Sequence, residues 1–458
     1  METWKINEEE KEICCRCREK ALQSGASAVR ITLNKCLMNE LVILNGYLDK
    51  VSQSGDRALT FNVFVDGKYG TFSINRLDWA ELEPFIEKSI DTVRMLAADE
   101  FRKLPDPSRT VKNAVQGDEL GLYDPAFGEF TPERRLETAL GISAFEKMQE
   151  EAKGYSLISE EIVWCDSNYN NYILDSNGLE CMQTETAFEA SMEVTIQDEE
   201  GCKYSGYGWN ASTHLEKLET ADIAATALKR AVDQIHPVQL ESGAYNMVVE
   251  NEVASKLLNP ILVALNGYSL QQQNSFLTDS LGKQIFSEGF TLADVSAEPG
   301  KNGARLFDSE GVAYPKTPVI EKGKVCRYFI NTYISGKMGI LPTVEDCARP
   351  KIMSYLPALS GEAPKNISLK DILNHCKNGI FVTGFNGGNS DPATGDFSYG
   401  VEGFKFENGQ IGEPVRGMVI TGNLIDLWKN LLAAGSDWRP SMNKQIPTLA
   451  FKDVDFSA

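Results

Sequence analysis

The stretch Ala58-Leu59-Thr60-Phe61-Asn62-Val63-Phe64-Val65-Asp66-Gly67-Lys68-Tyr69-Gly70-Thr71-Phe72-Ser73-Ile74 decides the fold class. Polar and apolar residues alternate on both sides of Asp66-Gly67, the period of a strand with one buried and one wet face. Asp-Gly supplies the two positive φ angles of a tight hairpin turn, so the stretch reads as two antiparallel strands. Working outward, segments 28–33 and 40–43 are also rich in β-branched residues and read as strands. A helix over 8–23 precedes them, with Asn7 and Glu10 as its capping pair and Gly25 just past its end. A second helix follows over 78–97, capped by Asp78 with Glu81 in its first turn.

The same order then recurs. Residues 103–130 hold Pro105, Pro107 and Pro125 and read as a linker or wrapping loop. Thr131-Pro132-Glu133 opens a helix to about 153, with proline at its first position. Strands are expected at 156–165, 172–174, 180–188 and 190–196, with a closing helix over 218–235. The fold class is therefore α+β. Two helix–antiparallel-strands–helix units, 1–102 and 131–240, precede a β-rich C-terminal domain over 241–458. In that domain 245–250 reads as a strand, 252–265 and 423–434 as helices, and the rest as short strands and turns.

Composition narrows the function. The chain has 458 residues, long enough for two or three domains, and 65 acidic against 45 basic residues, a net charge of −20. That balance argues against direct nucleic-acid binding, which needs clustered Lys and Arg. Only three histidines occur, His214, His236 and His375, and no two lie within five residues of each other. Zinc motifs that place two imidazoles on one helix are therefore excluded. No signal peptide or membrane-spanning segment is expected, and the ten cysteines read as reduced thiols of a cytoplasmic protein.

Most short motifs have plain structural explanations. Cys14, Cys15 and Cys17 lack a second cysteine pair and read as helix thiols. Gly206-Tyr207-Gly208-Trp209-Asn210-Ala211 fits a dinucleotide fingerprint loosely, but follows hairpins rather than a βαβ unit. No G-x-S-x-G occurs, and Ser441-Met442-Asn443-Lys444 matches S-x-x-K by chance. Two carboxylates converging in space remain an open route to acid–base chemistry.

The strongest signal is Gly384-Phe385-Asn386-Gly387-Gly388-Asn389-Ser390-Asp391-Pro392-Ala393-Thr394-Gly395-Asp396-Phe397-Ser398-Tyr399-Gly400. So many glycines cost backbone entropy, and imply conformations closed to other residues or a main chain that another chain must approach closely. Here the sequence resembles the TldD/PmbA family, often labelled modulator of DNA gyrase, in its PmbA (TldE) branch. Three further blocks carry the resemblance: Ser275-Phe276-Leu277-Thr278-Asp279-Ser280-Leu281-Gly282-Lys283-Gln284-Ile285-Phe286, Phe307-Asp308-Ser309-Glu310-Gly311-Val312, and Pro414-Val415-Arg416-Gly417 with Thr421-Gly422-Asn423-Leu424.

The resemblance implies dimers, with a homodimer for the isolated chain. The TldD branch resembles a metalloprotease built on an H-E-x-x-x-H helix, where imidazoles hold zinc and Glu takes a proton from its water. Here Asn259 and Pro260 fall on the first His-Glu and Ala264 on the second His, so no metal and no cofactor are expected. The PmbA branch is implied to be the metal-free half of a heterodimeric protease. Its partner would be a TldD-like metalloprotease subunit, and its substrates unfolded peptides, including precursors of peptide antibiotics and antitoxins. Main-chain groups of the Asn386–Asn389 loop would bind an extended peptide by strand addition. Gly387, Gly388, Asn389, Asp396 and Ser398 are the residues expected at that peptide site or interface. Two other readings remain open: a stand-alone metal-independent hydrolase, and a non-enzymatic binding protein modulating gyrase or a toxin–antitoxin system.

Overall fold

Asn7 and Glu10 close a reciprocal cap at the start of the helix Glu8–Gln23, each side chain accepting from the other's backbone N–H. A computed structural model describes residues 4–151, 154–357 and 366–458. They divide into two compact units. The first runs up to Val232 and includes the separate segment Ala297–Tyr314; the second is Asp233–Ser296 with Pro315–Ala458.

The first unit is built on one antiparallel sheet. Its strands are β1 (Ala28–Leu44), β2 (Tyr47–Val65), β3 (Lys68–Ile74), β4 (Tyr155–Asp175), β5 (Glu180–Asp198) and β6 (Lys203–Ser212). Their spatial order is β3-β2-β1-β4-β5-β6, so β1 pairs with β4 and the strands of both sequence repeats join one sheet. The Asp66-Gly67 turn forms with φ of 49° and 74°. Cys14, Cys17 and Ala21 of the first helix and Leu82, Ile86, Ile90 and Val93 of the helix Trp79–Arg94 pack on Val29, Ile31, Leu33, Leu59, Phe61 and Val63. Each large apolar side chain buried there contributes roughly 1.5–3 kcal/mol.

Several strands are longer than the alternation suggested. β1 and β2 run continuously through 34–57, where polar residues sit on the buried face. Lys35 reaches Glu10 at 3.0 Å, and Asn39 donates to Asp166 at 3.0 Å. Arg135 also binds Asp166, through two hydrogen bonds of 2.7 and 2.8 Å. These partners allow polar groups to be buried where an unpaired one would cost several kcal/mol. The predicted helix from Pro132 breaks into Pro132–Leu140 and Phe145–Glu151. The stretch 103–130 lies along β5, with Ala114, Gly117 and Leu122 carbonyls accepting from Met182, Thr184 and Thr186 amides. Gly206 and Gly208 serve packing: a Cβ at either would strike the backbone of the helix Ile223–Val232, at 2.1 and 2.3 Å.

In the second unit, β7 (Gly243–Val249) leads to the helices Ser255–Ala264 and Gly267–Gln271. A small sheet follows, from β8 (Leu292–Asp294), β9 (Ile320–Glu321), β10 (Lys324–Val325) and β11 (Pro350–Ile352). The main sheet adds β12 (Gly379–Ser390), β13 (Asp396–Glu407), β14 (Gln410–Asn423), β15 (Leu431–Ala434) and β16 (Leu449–Ser457). Its order is β14-β13-β12-β7-β16-β15, and β14 also pairs with β16, which curls the sheet onto itself. The expected helix over 423–434 ends at Lys429, because Leu431–Ala434 pairs with β16.

Candidate functional site

The glycine-rich run is strand rather than loop. It forms the end of β12, a turn over 391–395 and the start of β13. Asn386 faces Gly400 and Asn389 faces Ser398, so one extra residue bulges from β12. Gly387 and Gly388 take that bulge with φ of 72° and 81°. At Gly388 a Cβ would stand 2.0 Å from the Ser398 carbonyl oxygen, so the two strands approach too closely there for any side chain. Asn389 and Ser398 are both exposed, whereas Phe397 and Tyr399 are buried and stack at 5.3 Å.

β12 has a strand on each side only at its start. Ile380, Phe381 and Val382 pair with β7, which then leaves the sheet after Val249. Beyond Val382, among the described residues, no strand pairs with β12 on that side. Residues 386–389 are exposed. An unpaired strand edge offers a row of main-chain donors and acceptors to an incoming extended chain.

Asp396 holds the tip of this hairpin. Its carboxylate accepts from Asn423 Nδ2 at 2.9 Å and Thr394 Oγ1 at 2.8 Å, and these two bonds hold its pKa below the ordinary value. Asn423 in turn caps the helix Leu424–Lys429. Phe276 N–H donates to the Pro392 carbonyl at 3.0 Å. Ser275 Oγ donates to the Ala264 carbonyl at 2.6 Å, so the 275–286 block joins the turn to the helix Ser255–Ala264.

That helix carries the positions of the expected metal motif. Leu257, Leu258, Ile261 and Ala264 form its buried stripe, and Trp428 Nε1 donates to the Leu257 carbonyl at 3.3 Å. Lys256, Asn259 and Val263 lie at i, i+3 and i+7 on the other face. Asn259 and Ala264 therefore point to different faces of the helix, and Pro260 carries no N–H. Asn259 Oδ1 accepts from Lys444 Nζ at 2.5 Å. Burial lowers the pKa of Lys444, partly opposed by Cys347. Lys256 Nζ sits 4.7 Å over the Tyr399 ring, tying the helix to the β12–β13 bulge.

The residues at these positions do not fit a zinc ion. They supply one amide oxygen, already engaged with an ammonium, together with a proline and a buried methyl group. Among the described residues no group of three or more His, Cys, Asp or Glu is placed to hold a metal. The Ser441–Lys444 pattern lies in turn and bend structure, and the hydrogen bond of Lys444 goes to Asn259. No helix is long and apolar enough to cross a membrane among the described residues. Sequence reading missed Lys256 and the role of Lys444. The first could have been found from its i, i+3 spacing to Asn259; the second depends on a long-range contact.

Comparison with known proteins identifies the family. The PmbA/TldA metallopeptidase central domain matches residues 129–235, and the C-terminal domain of the same family matches residues 242–458. A solved Bacteroides thetaiotaomicron protein, named as a candidate modulator of DNA gyrase, is 37% identical, with a TM-score of 0.89 over 99% of this chain and 100% of its own. TldE of Thermococcus kodakarensis shares the fold, with a TM-score of 0.79 and 19% identity over 97% of this chain and 100% of its own. The metalloprotease PmbA of Escherichia coli O157:H7 is 26% identical over 94% of this chain and 93% of its own length. With both domains matched and a close structural relative along nearly its whole length, the chain belongs to the PmbA/TldD family.

Proposed function

We propose that this chain is the metal-free, non-catalytic partner subunit of a TldD/TldE-type heterodimeric metalloprotease that acts on unfolded peptides. It supplies subunit interface and peptide-binding surface, while a companion bearing H-E-x-x-x-H supplies the metal. On this reading the isolated chain is a homodimer and the complex works in the cytoplasm.

The observation that carries the reading is the free edge of β12 past Val382, beside a helix whose motif positions are Asn259, Pro260 and Ala264. Strand addition binds through main-chain groups, which every peptide has, so it accepts unfolded chains with little regard to sequence. The bulge at Gly387 and Gly388 leaves that edge without bulky side chains, and the exposed Asn389 and Ser398 flank it. The names of the relatives, a metalloprotease PmbA and a TldE, support the assignment to a proteolytic system.

Co-purification with an H-E-x-x-x-H protein of the same family, followed by cleavage of an unstructured peptide, tests this. The expected result is a stable complex that cleaves faster than the companion alone and loses activity with chelator. Absence of a complex, or cleavage equal to that of the companion alone, overturns the reading. Chelator-resistant cleavage by the isolated chain would instead favour the stand-alone hydrolase.

A further inference from the structure

Two lysines of the second unit, Lys256 and Lys444, are brought together at one helix. Among the described residues neither has a carboxylate within ion-pair distance. Lys256 lies over the Tyr399 ring, and Lys444 is hydrogen-bonded to the neutral amide of Asn259. Lys256 and Asn259 share a helix face at i, i+3, so the two ammonium groups attach to one side of one helix. Tyr399 belongs to β13 at the bulge, which links that side to the free edge of β12.

We infer that Lys256 and Lys444 form a carboxylate-binding site that captures an anionic group of a peptide added along β12. This rests on the peptide-binding reading above and names what that surface selects. An ammonium has three donors. Lys444 commits one to Asn259, and the cation–π contact of Lys256 commits none, so N–H groups remain for a carboxylate. The partly buried setting of Lys444 strengthens a charge-assisted bond relative to water. The burial that depresses its pKa is the cost of a cation lacking an anion, and a bound carboxylate offsets it. The carboxylate comes either from the C-terminus of the peptide or from an Asp or Glu side chain.

The test uses the full chain and a fluorescein-labelled unstructured decapeptide of Ala, Ser, Thr and Gly. It is supplied as the free acid, as the C-terminal amide, and as the amide with one internal Glu, and binding is read by fluorescence anisotropy. The free acid is expected to bind about tenfold or more tighter than the plain amide. Lys444→Gln with Lys256→Gln abolishes that difference, and Lys444→Arg keeps most of it. Circular dichroism confirms that each variant is folded. Tight binding of the Glu-containing amide assigns the site to side-chain carboxylates as well. Equal binding of all three peptides overturns the carboxylate site and leaves the peptide edge standing. No binding of any of the three overturns both.

Discussion

Lys444 Nζ lies 2.5 Å from Asn259 Oδ1, away from the buried stripe of the helix Ser255–Ala264. A side-chain cation thus meets the residue that the sequence resemblance sets in place of a metal-binding histidine. Lys444 is partly buried without a carboxylate partner, so it costs stability as well as contributing a hydrogen bond.

The two members of that pair should respond differently to substitution. Asn259→Leu leaves the ammonium without its acceptor and is expected to destabilise by about 1–3 kcal/mol in urea unfolding at neutral pH. Lys444→Met removes the charge and is expected to be neutral or slightly stabilising. Because burial lowers the folded-state pKa of Lys444, its protonated form is the destabilised one. Stability of the parent protein therefore rises as pH climbs through that lowered value towards the ordinary lysine value, and any advantage of Lys444→Met shrinks over the same window. Equal losses from both substitutions would show that the pair is held for stability alone.

At the bulge, Gly387→Ala and Gly388→Ala separate conformational strain from steric conflict. Both residues have positive φ, which costs an L-residue roughly 1–2 kcal/mol. A Cβ at Gly387 meets nothing within 4 Å, while at Gly388 it strikes the Ser398 carbonyl. Gly388→Ala is expected to cost at least about 1 kcal/mol more than Gly387→Ala, by thermal or urea unfolding. Matching values would mean that the strands part without penalty.

Asp396 gives an acid-side prediction. Its pKa is depressed by the Asn423 and Thr394 hydrogen bonds, so its contribution is complete above the unfolded carboxylate value, about 4. It is lost as pH falls through the depressed folded value. The stability gap between the parent and Asp396→Asn is therefore expected to close in acid. A gap unchanged from neutral pH to about pH 2 would exclude a role for the charge.

Asp308 fixes a turn in the segment Ala297–Tyr314. Its Oδ1 accepts from the amides of Glu310 and Val312, each at 2.9 Å. Asp175 makes the same turn with Asn177 and Leu179, at 2.8 and 3.1 Å. Asp308→Ala strips the buried Val312 amide of that acceptor and is expected to cost about 1–3 kcal/mol in urea unfolding. Asp308→Asn retains an acceptor oxygen and should cost less.

What the sequence revealed depended on whether local chemistry decided the outcome. The cap at Asn7 and Glu10 and the Asp66-Gly67 turn are local, and both formed as read. The full lengths of β1 and β2 were hidden because Lys35 and Asn39 point inward, and only distant Glu10 and Asp166 make that tolerable. The apolar run after Lys429 suits a helix or a strand equally, and pairing with β16 chose the strand. The glycine-rich run announced close backbone approach, which β12 and β13 display. The free edge beyond Val382 depends on where β7 leaves the sheet, and Lys444 is separated from Asn259 by 185 positions.

The return of Ala297–Tyr314 to the first unit has a consequence for biosynthesis. Phe307 fills a cluster with Ala114, Ile173, Leu179 and Cys181, and Ala304 another with Leu120 and Leu122. A nascent polypeptide released as far as the Val232–Asp233 boundary would still lack these plugs. Its first half is expected to complete these two clusters only after translation has passed Tyr314, well into the second half. Cleaving the gene at that boundary should yield an N-terminal fragment that stays sticky until a peptide spanning 297–314 is added back.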